Sequence, residues 1–347
     1  MGNVFALLTP LIHGLVKLAG LTPQTIEIVP GTLMSIWVPK ETVTGKDQNI
    51  VYVPPTKPAV LLLHAFALDG VFTWFLQVLA LTREYSVYVP DLLFFGSSIT
   101  NRNERSVSFQ AEFVARGMRV LKVEKVTLVG LSYGGVVGFK MAKLYPELVK
   151  SMVVSVIEVT ESISLDFYKQ FGFIRWSDLL MPTTIEEVKI SFSFGIHKLP
   201  WIPDFVYRHM LETMYNNRKE RNELLEDLVI PDKDATSYTS YSQEIHMLWG
   251  DYDKIFNVDH AMSMKTRLGD KTTLDWIKDT GHLVQLEQPF KYNKRLKWIL
   301  EHWPALLTFN TKEEMQSGKL NSNIMHALCG GVKATANGLR GLGNQVG

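Results

Sequence analysis

The 347-residue sequence predicts an α/β fold: a mostly parallel central sheet with helices on both faces and an inserted block of helices. Three observations predict it. AVLLLHAF (59–66), YSVYVPDLL (85–93), VTLVGL (126–131) and VKSMVVSVI (149–157) are apolar or β-branched nearly throughout. That is the pattern of strands buried on both faces. Segments of helical spacing alternate with them, SFQAEFVARGMRVLKV (108–123) before the third run and VVGFKMAKLYP after it, which is the rhythm of a parallel sheet with crossover helices. The rhythm stops near residue 158 and resumes near 241, so a helical block interrupts one sheet.

Taken in order, the N-terminal stretch reads as an amphipathic helix within residues 1–24. Thr9 is the expected N-cap, Pro10 the first helical position, and Gly20 lies past the end. Leu11, Ile12, Leu15, Val16 and Ala19 share its apolar face. Packing on its own domain is the simpler role, and peripheral membrane contact the sharper one. Pro10, His13 and Lys17 oppose a spanning helix, and the missing basic n-region opposes a secretory leader. Gly2 raises myristoylation, but Ala6 stands where Ser or Thr belongs. TIEIVPGTLMSIWVPK (25–40) reads as two strands about a Pro30-Gly31 turn.

Residues 158–240 are aromatic and helix-leaning, the expected cap, with the mixed charges of Arg218 to Asp227 as a solvated face. EIHMLWGDYD (244–253) and TTLDWIKDTGH (272–282) restore the strands, and FKYNKRLKWILEHW (290–303) reads as a closing helix. The core is thus 25–157 with 241–310. Residues 311–347 are polar and glycine-rich, and read as a disordered tail. Their G-x-x-G-x-G follows no strand, so it is no dinucleotide loop.

Composition narrows the function. Lys+Arg is 36 and Asp+Glu 35, so no charge bias points to nucleic acid. Cys329 is the single cysteine and no N-x-[ST] acceptor is present. Both fit a reducing, intracellular setting, cytoplasmic or peripheral to a membrane. Nothing in the sequence implies a metal or a cofactor.

The chemistry gathers at Gly130-Leu131-Ser132-Tyr133-Gly134. A serine between two glycines means little alone, but here a strand precedes it and a helix follows. That is the context in which a hydroxyl stands exposed on a sharp turn, and it marks Ser132 as a nucleophile. Such a serine needs a base and a group to orient it. Of nine histidines, His282 is the best base, because it follows a strand and Gly281 permits the turn that would project it over the sheet's C-terminal edge. Asp253, at the end of the 244–249 strand, is preferred over Asp251 as the acid; an Asx-turn is the plainer role for either.

With these residues, the chain resembles α/β-hydrolase-fold proteins across roughly residues 20–305. It is similar in particular to the plant branch described as monoacylglycerol-lipase-like or epoxide-hydrolase-like. LLLHAF, YVPDLLFFGSS, VGLSYGGVVGFKMA, MPTTIEEVK, NRKERNELLE, LWGDYDKIF and DTGHLVQLEQP carry the resemblance. It implies Ser132, Asp253 and His282 as a catalytic triad, an oxyanion hole from the backbone N–H groups of Phe66 and Tyr133, and an apolar acyl substrate under the cap. A serine at the elbow opposes epoxide hydrolysis, for which relatives use aspartate. The family pattern His-Gly-Phe-Gly reads His64-Ala65-Phe66-Ala67 here. If residue 65 or 67 needs a positive φ, alanine would tilt the Phe66 donor and impair the hole.

The reading is a serine hydrolase for a lipophilic carboxylic ester, monoacylglycerol-like or otherwise. His64, Phe72, Trp74 and Phe94 are the expected substrate contacts. The alternative is a small-molecule receptor or weakly catalytic binder on the same fold. Carbon–carbon bond hydrolysis or a lyase reaction comes after these.

Overall fold

The computed structural model describes residues 3–45, 49–238 and 241–306. Helix α1 (Val4–Leu18) leads into an antiparallel pair, β1 (Leu21–Val29) and β2 (Thr32–Pro39), which turns at Pro30-Gly31. A two-stranded ribbon, β3 (Val43–Thr44) and β4 (Val51–Tyr52), precedes β5 (Ala59–Leu63). Then come α2 (Gly70–Leu81), β6 (Ser86–Pro90), β7 (Ile99–Thr100), α3 (Val107–Val120), β8 (Val126–Leu131), α4 (Tyr133–Leu144) and β9 (Val149–Ser155). Five helices follow with no strand among them: α5 (Glu161–Phe171), α6 (Trp176–Leu180), α7 (Ile185–Gly195), α8 (Asp204–Met214) and α9 (Arg218–Leu228). The chain returns through β10 (Glu244–Gly250), α10 (Val258–Leu268), β11 (Thr272–Ile277), α11 (Val284–Glu287) and α12 (Pro289–Leu306).

The sheet runs β1-β2-β6-β5-β8-β9-β10-β11, with β7 beside β2. From β6 to β11 every neighbour is parallel, and the antiparallel β1 and β2 close one end. Every residue of β5 and β6 is buried, as expected of strands covered on both faces. The inserted helices follow the C-terminal end of β9. Thr160 and Ile230 form a bridge there, with Glu161 N–H donating to Ile230 O and Ile230 N–H to Val159 O. The two ends of the insertion are thus tied together. Residues 1–300 form one compact unit; of the unit from 301 onward only the end of α12 is described. Among the described residues no helix is long and apolar enough to cross a membrane.

Two expectations are corrected. Helix α1 begins at Val4, not after Thr9, because Asn3 caps it: its side chain accepts from Phe5 N–H at 2.9 Å. Pro10 therefore lies inside the helix. Its buried face is Phe5, Ile12 and Val16, while Leu7, Leu11 and Leu18 are exposed. The mixed charges of 218–227 are not simply a solvated face: Arg221 is buried, and Asp227 accepts the first N–H of α3, from Val107, at 2.8 Å. Helix α2 is an element the residue spacing does not mark, since GVFTWFLQVLAL is apolar almost all round. Gly2, Cys329 and the proposed tail at 311–347 lie outside the described residues.

Candidate active site

Ser132 sits between β8 and α4 with φ 52° and ψ −124°, a conformation that side chains other than glycine rarely adopt. The strain is held by its surroundings. Ser132 N–H donates to Ser155 O at the end of β9 at 3.0 Å, and Ser132 O accepts from the Gly135 and Val136 amides. Gly134 is required by close approach, because a Cβ there would lie 2.4 Å from Leu63 O. The turn therefore presents Ser132 at the C-terminal edge of the sheet, on the N-terminus of α4.

His282 reaches the same edge from the loop after β11. Its Nδ1 lies 2.7 Å from Asp253 Oδ2, and both residues are buried. Asp253 is itself fixed: its Oδ1 accepts from the Ile255 and Phe256 amides at 2.8 and 2.9 Å. One carboxylate thus makes the turn and also holds the imidazole. Phe256 packs edge-on against the His282 ring at 5.4 Å, and Trp249 Nε1–H ties down Phe256 O. Asp251 does other work, accepting from Thr280 N–H at 3.2 Å.

With Nδ1 engaged, His282 Nε2 is buried without a hydrogen-bond partner among the described residues. It and Ser132 line one cavity of about 70 Å³. Ala65, Phe66, Ala67 and Tyr133 form the adjoining wall, and the opposite wall comes from the inserted helices through Trp176, Leu179, Phe192 and Leu225. Such a site positions a hydroxyl, an imidazole free at one nitrogen and an oriented carboxylate in apolar surroundings. That is the equipment of nucleophilic catalysis, in which apo hydrogen bonds are often longer than in the complex.

The alanine question has a direct answer. Among the described residues, the non-glycine residues with positive φ are Phe94, Lys122, Ser132, Asn217 and Asp279, so neither Ala65 nor Ala67 needs glycine's freedom. Phe66 is clamped edge-on between Phe95 and Tyr133, at 5.1 and 5.4 Å.

The four expected substrate contacts lie elsewhere. His64 is fully buried outside the cavity, donating from Nδ1–H to Ala65 O at 2.8 Å while its Nε2 accepts from Leu92 N–H at 2.9 Å. Burial lowers its pKa to about 4, so it is a neutral brace beneath the loop. Trp74 is fully buried against Tyr292. Phe94 turns at positive φ, with its carbonyl held by Asn217 and Arg221. Phe72 faces a different cleft, beside Phe5.

Sequence reasoning also passed over Glu287, whose carboxylate accepts from the Gly281, His197 and Lys198 amides at 2.8–3.0 Å. It staples the His282 loop to the start of the segment after α7. Among the described residues, no group of three or more His, Cys, Asp or Glu is placed to hold a metal ion.

Residues 58–187 match the model of the alpha/beta hydrolase fold family. The chain has the α/β-hydrolase fold. An uncharacterised protein of Mycobacterium tuberculosis is 36% identical over 111 residues, spanning 32% of this chain and 32% of that protein. The match thus covers about a third of that relative's length. Carboxylesterase YbfK of Bacillus subtilis is 23% identical over 278 residues, 73% of this chain and 83% of the relative. Its crystal structure covers 85% of this chain and 97% of its own, with a TM-score of 0.62. A membrane phospholipase A described as a bacterial virulence factor has a TM-score of 0.68 at 22% identity, covering 86% of this chain and 90% of its own. In this fold the elbow after β8 and the histidine loop after β11 fall where chemistry is brought together.

Proposed function

We propose that the chain is a serine hydrolase that cleaves a carboxylic ester with an apolar acyl part through an acyl-enzyme. One observation carries the reading: Ser132 and the free nitrogen of His282 face one apolar cavity, and buried Asp253 fixes the other nitrogen at 2.7 Å. His282 takes the proton as Ser132 attacks, then gives it to the leaving alcohol; Asp253 stabilises the imidazolium between. The negative oxygen is received by the Phe66 and Tyr133 amides, the latter at the first turn of α4, where N–H groups have no intrahelical partner. Water then repeats the sequence on the acyl-enzyme. The carboxylesterase likeness supports the reaction class.

The cavity is narrow, so a short acyl chain suits it as it stands and a longer one requires the inserted helices to shift outward as a cap. The ordinary backbone at Ala65 and Ala67 removes the motive for the receptor reading. Helix α1 has a part in the same proposal. Leu7, Leu11 and Leu18 are 75%, 59% and 87% exposed on one side of a helix that carries Lys17 and no acidic residue. That side suits contact with an anionic lipid surface, where lipophilic esters partition.

The test is turnover of p-nitrophenyl esters of increasing chain length. Wild type should hydrolyse the short ones, and Ser132→Ala should lose the activity while keeping its thermal transition. Activity retained in that variant would remove Ser132 from the chemistry.

A further inference from the structure

A second, larger cleft of about 640 Å³ lies between α1, the β1–β2 pair, α2 and the chain leaving α8. It touches neither Ser132 nor His282, and meets the first cavity only at Ala67 and Leu68. Its walls are mixed, polar and apolar in about equal parts, where those of the first are mostly apolar. We propose that this cleft is a separate ligand site for a small neutral polyhydroxyl compound of the polyol or sugar class.

The charges point to a neutral ligand. Asp69 and Asp91 line the cleft close together; burial raises both carboxyls, Asp91 to about 7, so near neutral pH the pair carries less negative charge than two free carboxylates would. Arg221 lines it too, buried, with three donors spent on neutral acceptors: Phe94 O, Met214 O and Asn216 Oδ1. Burial lowers the pKa of His13, which keeps it largely uncharged. The Arg221 charge thus faces a carboxyl pair of opposite sign, and the walls carry no excess of one sign to hold a charged ligand.

The hydrogen-bonding groups point to hydroxyls. Asp69 spends Oδ1 on the Phe72 amide, and a carboxylate has further acceptor sites to offer. A guanidinium has five N–H donors, so Arg221 retains some after its three bonds. A hydroxyl group both donates and accepts, and a compound with several can meet both residues. Trp37 and Phe72 supply flat apolar wall, with the His13 ring edge-on to Trp37 at 4.9 Å. A few directional polar groups beside aromatic faces are the usual composition of a small-molecule site.

The experiment is calorimetric titration of the full chain with myo-inositol, D-glucose and glycerol, with choline and inorganic phosphate as charged controls. At least one polyol should bind at a single site below about 50 mM, and neither charged control should compete. Binding should be the same in Ser132→Ala. It should weaken by about ten-fold or more in Asp69→Ser, which keeps an N-cap on α2, and in His13→Phe, which keeps a ring on Trp37. Thermal transitions near wild type show that these variants fold. Absence of polyol binding, indifference to both variants, or competition with an ester substrate at Ser132 would each overturn the proposal. Choline or phosphate taking the site would overturn its neutral class.

Discussion

The two aspartates after β10 differ by what their oxygens touch. Asp253 holds His282, whereas Asp251 holds only a loop amide that an asparagine oxygen can also accept. Asp253→Asn should therefore lower kcat by roughly 10³–10⁴, since an amide opposite Nδ1 favours the wrong tautomer. Asp251→Asn should lower it only a few-fold; rate assays on the two variants check the order, and the reverse order would move the acid to Asp251. The φ values at the loop bear on a second expectation. Because Ala65 and Ala67 are outside the positive-φ region, Ala65→Gly with Ala67→Gly should leave kcat within about two-fold of wild type. A rise of ten-fold or more would mean that the alanines do misdirect the Phe66 amide.

At the scale of elements, what the sequence made legible was local. The β8–α4 elbow is readable because β-branched residues, glycines and helical spacing follow one another within twenty positions. The start of α1 is hard to read because Thr9-Pro10 is itself a plausible helix opening, and the competing cap at Asn3 is a single residue. Helix α2 has no polar face to mark its period. The cavity was hidden for a different reason: its far wall comes from α6, α7 and α9, and packing across such separations leaves no trace in spacing. His64, Phe72, Trp74 and Phe94 line no part of the Ser132 cavity, because neighbourhood in sequence does not fix the direction of a side chain. Helix α1 also carries a prediction. Leu7→Ser with Leu11→Ser and Leu18→Ser should reduce co-sedimentation with anionic vesicles by several-fold, while turnover of soluble esters stays near wild type. Equal vesicle binding by wild type and variant would leave the exposed leucines without a lipid role.

For the whole molecule, the buried titratable groups make stability depend on pH with opposing signs. His64 has its pKa lowered from 6.5 to about 4 by burial. As pH falls from about 6.5 to 4, the unfolded chain gains a proton there that the folded chain refuses, so stability falls with pH in that window. Asp91 acts the other way: its pKa is raised to about 7, so the folded chain retains a proton that the unfolded chain releases, and stability falls as pH rises from about 4 to 7. Comparison with His64→Gln isolates the histidine. Its stability deficit relative to wild type should shrink by up to about 3 kcal/mol between pH 7 and 4, read from denaturant unfolding. A constant deficit would mean that His64 is not held neutral in the fold.

Intact-mass analysis after treatment with a fluorophosphonate reads the nucleophile directly. Labelling requires an activated serine, a base to take its proton and donors for the phosphoryl oxygen. Wild type should gain one adduct, located at Ser132 by peptide mapping, and His282→Ala should gain it far more slowly. No adduct on folded wild type, or an adduct on another serine, would contradict the assignment of Ser132 as the nucleophile.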